Sequence, residues 1–185
     1  MTFRALTVVL GLVVLVAELG SAQIRVQEDR PARRDRAGRR APGVSLLAGP
    51  APYDIGATGT GFAAALRFDI PSGRRFVIEP GLGYFRYRTQ SDAKINYLLP
   101  EVSIQYEPVR GSVRPFFGLG AGFAEFATGP GGSRGTVHAA AGLRVQSSGR
   151  VGFRVDARAR SIDPFGSKGT MVELAAGLRL VLGAR

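Results

Sequence analysis

Residues 136–159 read TVHAAAGLRVQSSGRVGFRVDARA, and their alternation decides the fold. Val137, Ala139, Ala141, Leu143 and Val145 alternate with His138, Ala140, Gly142, Arg144 and Gln146. Ser147 to Arg150 make a tight turn, after which Val151, Phe153, Val155, Ala157 and Ala159 alternate with Gly152, Arg154, Asp156, Arg158 and Arg160. Period two on both sides of a turn is a β-hairpin. One of its faces is apolar; the other carries small residues and charges. A soluble sandwich or lipocalin-like barrel would pack the apolar face inward. A transmembrane barrel turns that face to lipid and its charges to the lumen.

The rest of the chain chooses between these. From Val44 onward eight strands are expected. The first, over about 44–49, is short and weakly patterned. The second sets Phe62, Ala64, Leu66, Phe68 and Ile70 against Ala63, Ala65, Arg67 and Asp69. In the third, Phe76, Ile78, Pro80, Leu82 and Tyr84 oppose Val77, Glu79, Gly81, Gly83 and Phe85, and Pro80, lacking a ladder donor, predicts a bulge. The fourth sets Leu98, Pro100, Val102, Ile104 and Tyr106 against Glu101, Ser103, Gln105 and Glu107. The fifth sets Pro115, Phe117, Leu119, Ala121 and Phe123 against Phe116, three glycines and Ala124. The eighth turns Val172, Leu174, Ala176, Leu178, Leu180 and Leu182 away from Met171, Glu173, Ala175, Gly177 and Arg179.

The same code thus repeats on nearly every strand. Eight rows of large apolar residues would overfill a lumen that an eight-stranded barrel only just fills, whereas glycine and alanine facing inward leave room for long arginines. The expected fold is therefore an all-β, eight-stranded, antiparallel up-and-down transmembrane β-barrel. Short turns at 71–74, 108–113 and 147–150 lie on the side of both termini, and modest external loops at about 53–59, 90–94, 129–135 and 163–169 on the other. Aromatic girdles are expected from Tyr84, Tyr87, Phe123 and Phe126 at one interface and Phe68, Phe76, Tyr106 and Phe153 at the other.

The 185-residue chain carries a formal net charge of +11, has no cysteine, and holds only two lysines, Lys94 and Lys168. Its length suits one modest domain, and the lack of cysteine excludes disulfide frameworks and thiolate metal sites. Residues 1–22 read as a signal peptide, with Arg4 as the positive start, an apolar run from Ala5 to Ala17, and Gly20, Ser21 and Ala22 at the cleavage site. That run is shorter than the roughly 20 residues a spanning helix needs. Residues 23–42 are rich in arginine and proline and are expected to form a disordered periplasmic extension, able to dock on an anionic surface. Export disfavours nucleic acid as a partner despite the charge. Residues 43–185 are the barrel.

The runs Leu99-Pro-Glu-Val-Ser-Ile-Gln-Tyr and Arg114-Pro-Phe-Phe-Gly-Leu-Gly-Ala-Gly-Phe resemble small outer-membrane β-barrel proteins of the OmpA/OmpX/OmpW type. The resemblance covers roughly 43–183 and bears on architecture, not activity. It implies insertion by the barrel assembly machinery, which usually reads a last strand ending in an aromatic; here Leu182 occupies that place.

Ten charges share the inward parity: Arg67, Asp69, Glu79, Glu101, Arg144, Arg154, Asp156, Arg158, Glu173 and Arg179. Five acids against five arginines suggest an ion-pair network that fills the lumen. His138 is the only histidine and also faces inward, which excludes a histidine metal cluster. Lipid A deacylase barrels carry a His-x-Ser pattern that His138-Ala-Ala lacks. The glycine runs at 118–122 and 129–132 precede no helix and are not nucleotide loops. No catalytic residue, metal site or cofactor is expected. Arg86 and Arg88 share the lipid-facing parity of Tyr84 near the external end of strand three, where they could pair with lipopolysaccharide phosphates.

The functional expectation is a non-enzymatic, monomeric outer-membrane barrel with a structural, envelope-integrity or surface-interaction role, in contact with outer-membrane lipids. The alternatives are a narrow channel for ions or small molecules and a soluble lipocalin-like ligand-binding barrel.

Overall fold

Alternation makes each strand two-faced, and closing eight such strands leaves no unpaired edge. The computed structural model describes residues 41–55, 58–88, 93–128, 132–163 and 169–182. The expected signal peptide at 1–22 and residues 23–40 of the expected arginine-rich extension lie outside the described residues. The strands are β1 (Gly43–Asp54), β2 (Thr58–Ser72), β3 (Phe76–Arg88), β4 (Lys94–Tyr106), β5 (Val113–Thr128), β6 (Ser133–Ser148), β7 (Val151–Ile162) and β8 (Gly169–Val181). Each pairs antiparallel with the next, and β1 pairs with β8, closing the barrel. This is the expected fold class, an up-and-down transmembrane barrel: Leu46, Ile104, Leu119, Phe153 and Leu178 stand exposed on the outer surface, while arginines and carboxylates are buried inside. The inverted parity of a soluble lipocalin-like barrel is not what the chain adopts. Among the described residues no helix is long and apolar enough to cross a membrane; the strands do the crossing.

Two local expectations fail for one reason. β1 is not a short piece at 44–49 but runs from Gly43 to Asp54, with Ser45, Leu47, Ala51 and Tyr53 buried. Pro50 and Pro52 hide this in the sequence, because proline reads as a strand breaker. Each pairs with β2, opposite Phe62 and Thr60, while the β1–β8 ladder lapses between Ala48 and Tyr53. Pro80 behaves alike. It causes no bulge: the β2–β3 ladder lapses between Arg67↔Gly81 and Ile70↔Ile78 with the register unchanged, and Pro80 still pairs with Val102. A proline lacks one donor, so one ladder can lapse beside it without an added residue. The register shifts fall instead at Asn96/Tyr97 and Gln146/Ser148.

The β1–β8 seam depends on a close approach. A Cβ on Gly177 would collide with the backbone carbonyl of Leu46. In the β6–β7 turn Gly149 sits at φ 54°, which glycine adopts without steric cost.

Candidate functional site

Chemistry concentrates in the lumen, because the inward parity of β2, β3, β4, β6, β7 and β8 delivers charge from every side. All ten charges named from the sequence are buried there. Arg160 and Glu107 join them, giving six arginines and six carboxylates. The inward row of β7 already contained Arg160 one step beyond Arg158. Glu107 lies just past β4, where its N–H donates to the Arg75 carbonyl at 2.7 Å and continues the strand geometry.

The network runs in layers along the barrel axis. At the end holding the termini, Arg179 Nε bonds Asp69 at 2.6 Å, and Arg144 reaches Glu107 at 2.7 Å and Asp69 at 3.0 Å. Arg144 and Arg154 also lie over the buried Phe116 ring, 4.2 and 4.8 Å from its centroid. In the next layer Glu79 is shared. It accepts from Arg144 and Arg158 at 3.1 Å, from Gln105 at 2.7 Å and from both terminal nitrogens of Arg154. Arg67 stands 3.7 Å away. Arg154 also meets Asp156 at 2.8 Å. Above this, Glu101 takes Arg158 and Arg160 at 2.6 Å each and Arg67 at 3.3 Å. Glu173 pairs with Arg160 at 2.9 Å and Arg67 at 3.3 Å. Charges so deeply buried are tolerated because each is paired and hydrogen-bonded.

His138 belongs to this network. Its Nε2 lies 2.9 Å from Arg158 Nη1 and its Nδ1 3.6 Å from Glu101. No cluster of metal-ligating side chains occurs among the described residues.

The loop end of the lumen is different in kind. Tyr53, Phe85, Tyr87 and Tyr97 form a buried aromatic layer together with Leu99, Ile162 and Met171. Phe85 stacks on Tyr87 with centroids 5.4 Å apart, Tyr87 on Tyr97 at 5.8 Å, and Phe126 packs on Tyr97 at 4.5 Å. The Tyr53 hydroxyl donates to the Arg88 carbonyl at 2.5 Å. Tyr87 and Phe126 are therefore not girdle residues: both project inward, on the parity of Phe85 and Ala124. Sequence position near a strand end mimics a girdle, and only side-chain parity separates the two. Tyr84 and Phe123 do face outward at this end, and Phe68, Phe76, Tyr106 and Phe153 at the other.

Arg86 and Arg88 are exposed on the outer face of β3. They pair across the ladder with Asn96 and Lys94, and Tyr84 donates to Asn96 at 2.9 Å beside them.

A closed shell with a polar, filled interior and an apolar exterior has well-defined counterparts. Neisserial surface protein A superposes with a TM-score of 0.59 at 16% identity, over 76% of this chain and 97% of that one. This is the fold of a small outer-membrane β-barrel. The outer membrane enzyme PagL matches the barrel at 0.56 and 17% identity, over 76% and 99% of the two chains. The outer membrane protein OprG from Pseudomonas aeruginosa matches at 0.50 and 15%, over 79% and 98%. No family model matches the barrel sequence, and no curated protein matches it by sequence.

Proposed function

We propose that the chain is a non-enzymatic outer-membrane barrel with a structural or surface-interaction role and a lumen that does not conduct. The carrying observation is the double closure of the interior: six arginines balanced by six carboxylates through its middle, and an aromatic layer across its loop end. An eight-stranded barrel leaves only enough width for side chains, and here charged pairs and stacked rings take it. A balanced, interlocked network gives a passing ion no unpaired charge to exchange with. Non-catalytic use is supported by His138, whose neighbours Arg158 and Glu101 are themselves bound into the network. In this reading the chain is exported through residues 1–22, inserted by the barrel assembly machinery as a monomer, and oriented with its termini and short turns toward the periplasm. Residues 23–42 form the periplasmic arm.

The test has two stages. Mature protein refolded in detergent should migrate differently boiled and unboiled, as a closed barrel resists unfolding by detergent alone. Planar bilayers containing it should then show no conductance steps. Discrete steps from the unaltered protein would overturn the closed lumen in favour of a narrow channel.

The outward face of β3 supports a lipid contact as well. Arg86 and Arg88, with Lys94 across the ladder, bring cationic groups beside Tyr84 at the external interface, where lipopolysaccharide phosphates lie. Changing both arginines to glutamine should lower lipopolysaccharide co-purification, and unchanged retention would sink this contact.

A further inference from the structure

The outer wall is not uniformly convex. On β6 and β7 the lipid-facing row narrows to alanine, with Ala139 opposite Ala159 and Ala141 opposite Ala157. Taller side chains stand beside this row: Phe117 and Leu119 on β5, which pair with Ala141 and Ala139, and beyond them Tyr106 and Ile104 on β4. The result is a groove of about 630 Å³, within the roughly 300–1,000 Å³ typical of ligand sites. It starts at Tyr106, the last residue of β4 on the side of the termini, and reaches Ala139 on β6 and Ala159 on β7, both further along their strands from that end. Its course therefore crosses the wall from β4 to β7, rung to rung through Tyr106, Phe117, Ala141 and Ala157, and the tilt of the strands carries it from one membrane interface into the hydrocarbon region, a path open to an acyl chain.

The entrance is charged. Arg75 donates from Nη1 to the Tyr106 hydroxyl at 2.9 Å, which holds its guanidinium on the outer face above the groove. The Phe76 and Tyr106 rings lie 5.4 Å apart beneath it. Further arginines, Arg74 and Arg110, sit exposed on the turns of the same end, between strands. An apolar groove under a cationic, aromatic mouth complements a lipid with a phosphate head and an apolar tail.

We propose that this groove is a binding site for one glycerophospholipid of the leaflet at the terminus end, its acyl chain on the alanine floor and its phosphate at Arg75. The leaflet follows from the orientation proposed above, which makes this end periplasmic; the groove itself is a property of the wall. Full-length mature protein, refolded in detergent with phosphatidylglycerol and lipopolysaccharide both present, is examined by native mass spectrometry. The unaltered protein should retain one phosphatidylglycerol. Arg75→Gln should lower the retained fraction about tenfold through loss of a charge-assisted contact. Ala139→Leu with Ala159→Leu should abolish retention by filling the floor, whereas Ala176→Leu, a lipid-facing change on β8 outside the groove, should leave it intact. Unboiled-gel mobility confirms that each variant is folded, and tests barrel closure separately from lipid binding. The proposal is overturned if the unaltered protein keeps no phospholipid, if lipopolysaccharide takes its place, or if the filled variant retains as much as the control.

Discussion

Replacing Glu79 with glutamine keeps the shape of a fully buried side chain and removes one charge from a balanced interior. The carboxylate is held by Arg144, Arg154 and Arg158, with Arg67 at 3.7 Å, so four guanidinium groups share it. Its loss leaves six arginines facing five carboxylates in a space without bulk water. Removing one partner of a buried ion pair costs about 3–5 kcal/mol, because the remaining charge stays desolvated. Glu79 lies toward the upper end of that range: Arg158 keeps Glu101 and Arg144 keeps Glu107, but Arg154 falls back on Asp156 and a 3.4 Å contact with Asp69. Against a total stability of about 5–15 kcal/mol the loss should be plain. The assay is urea unfolding of protein inserted in lipid vesicles, read as the loss of the fast-migrating unboiled band. Glu79→Gln should move the midpoint strongly downward. Combining it with Arg154→Met, which restores the charge balance, should recover part of the loss, so that the double variant is less damaged than the two single ones together. An unchanged midpoint for Glu79→Gln, or strict additivity in the double variant, would refute the idea that balanced pairing holds the lumen together.

Three further outcomes follow from local geometry. Gly177→Ala should reduce the folded fraction on unboiled gels, since the new methyl meets the Leu46 carbonyl at the β1–β8 seam; normal folding would mean that the seam has slack. Phe85→Ala, which opens the aromatic layer, should cost about 3–5 kcal/mol in the same urea titration while leaving bilayers silent, because the charged layers beneath still fill the lumen; conductance from this variant would make the aromatic layer the principal seal. Arg160→Ala removes one of the two arginines, with Arg67, that Glu101 and Glu173 share and should lower the urea midpoint far more than exposed Arg134→Ala, whose Asp163 pair is solvent-accessible; equal shifts would argue against a special role for buried pairing.

Strand number, closure and the inward charge set were all legible in period-two alternation, because in a pleated strand parity alone assigns a side chain to one face. Even Arg160 and Glu107 stood on the inward rows and needed only that the strand be followed one residue further. Pro80 was expected to bulge a strand and the first strand was expected to be short; in both places a ladder lapses beside proline, at Pro80 and at Pro50 and Pro52, while the other ladder keeps the strand straight. Tyr87 and Phe126 misled the reading differently: placement near a strand end suits a membrane girdle, but inward parity makes them part of a seal.

The sequence by itself determined which residues face lipid and which face the interior, and the approximate balance of charge between them. Only the tertiary structure decided the pairing. Glu79 on β3 and Arg154 on β7 belong to strands that are not neighbours in the sheet, and they meet because the closed wall brings opposite faces of the lumen within reach. The groove is likewise a product of assembly. Its alanine floor can be read from two strands, but its wall comes from β4 and β5 and its mouth from a turn arginine bonded to Tyr106. Alternation is a property of one strand at a time; depth, layering and cross-lumen contact depend on register, which is fixed only when all eight strands close.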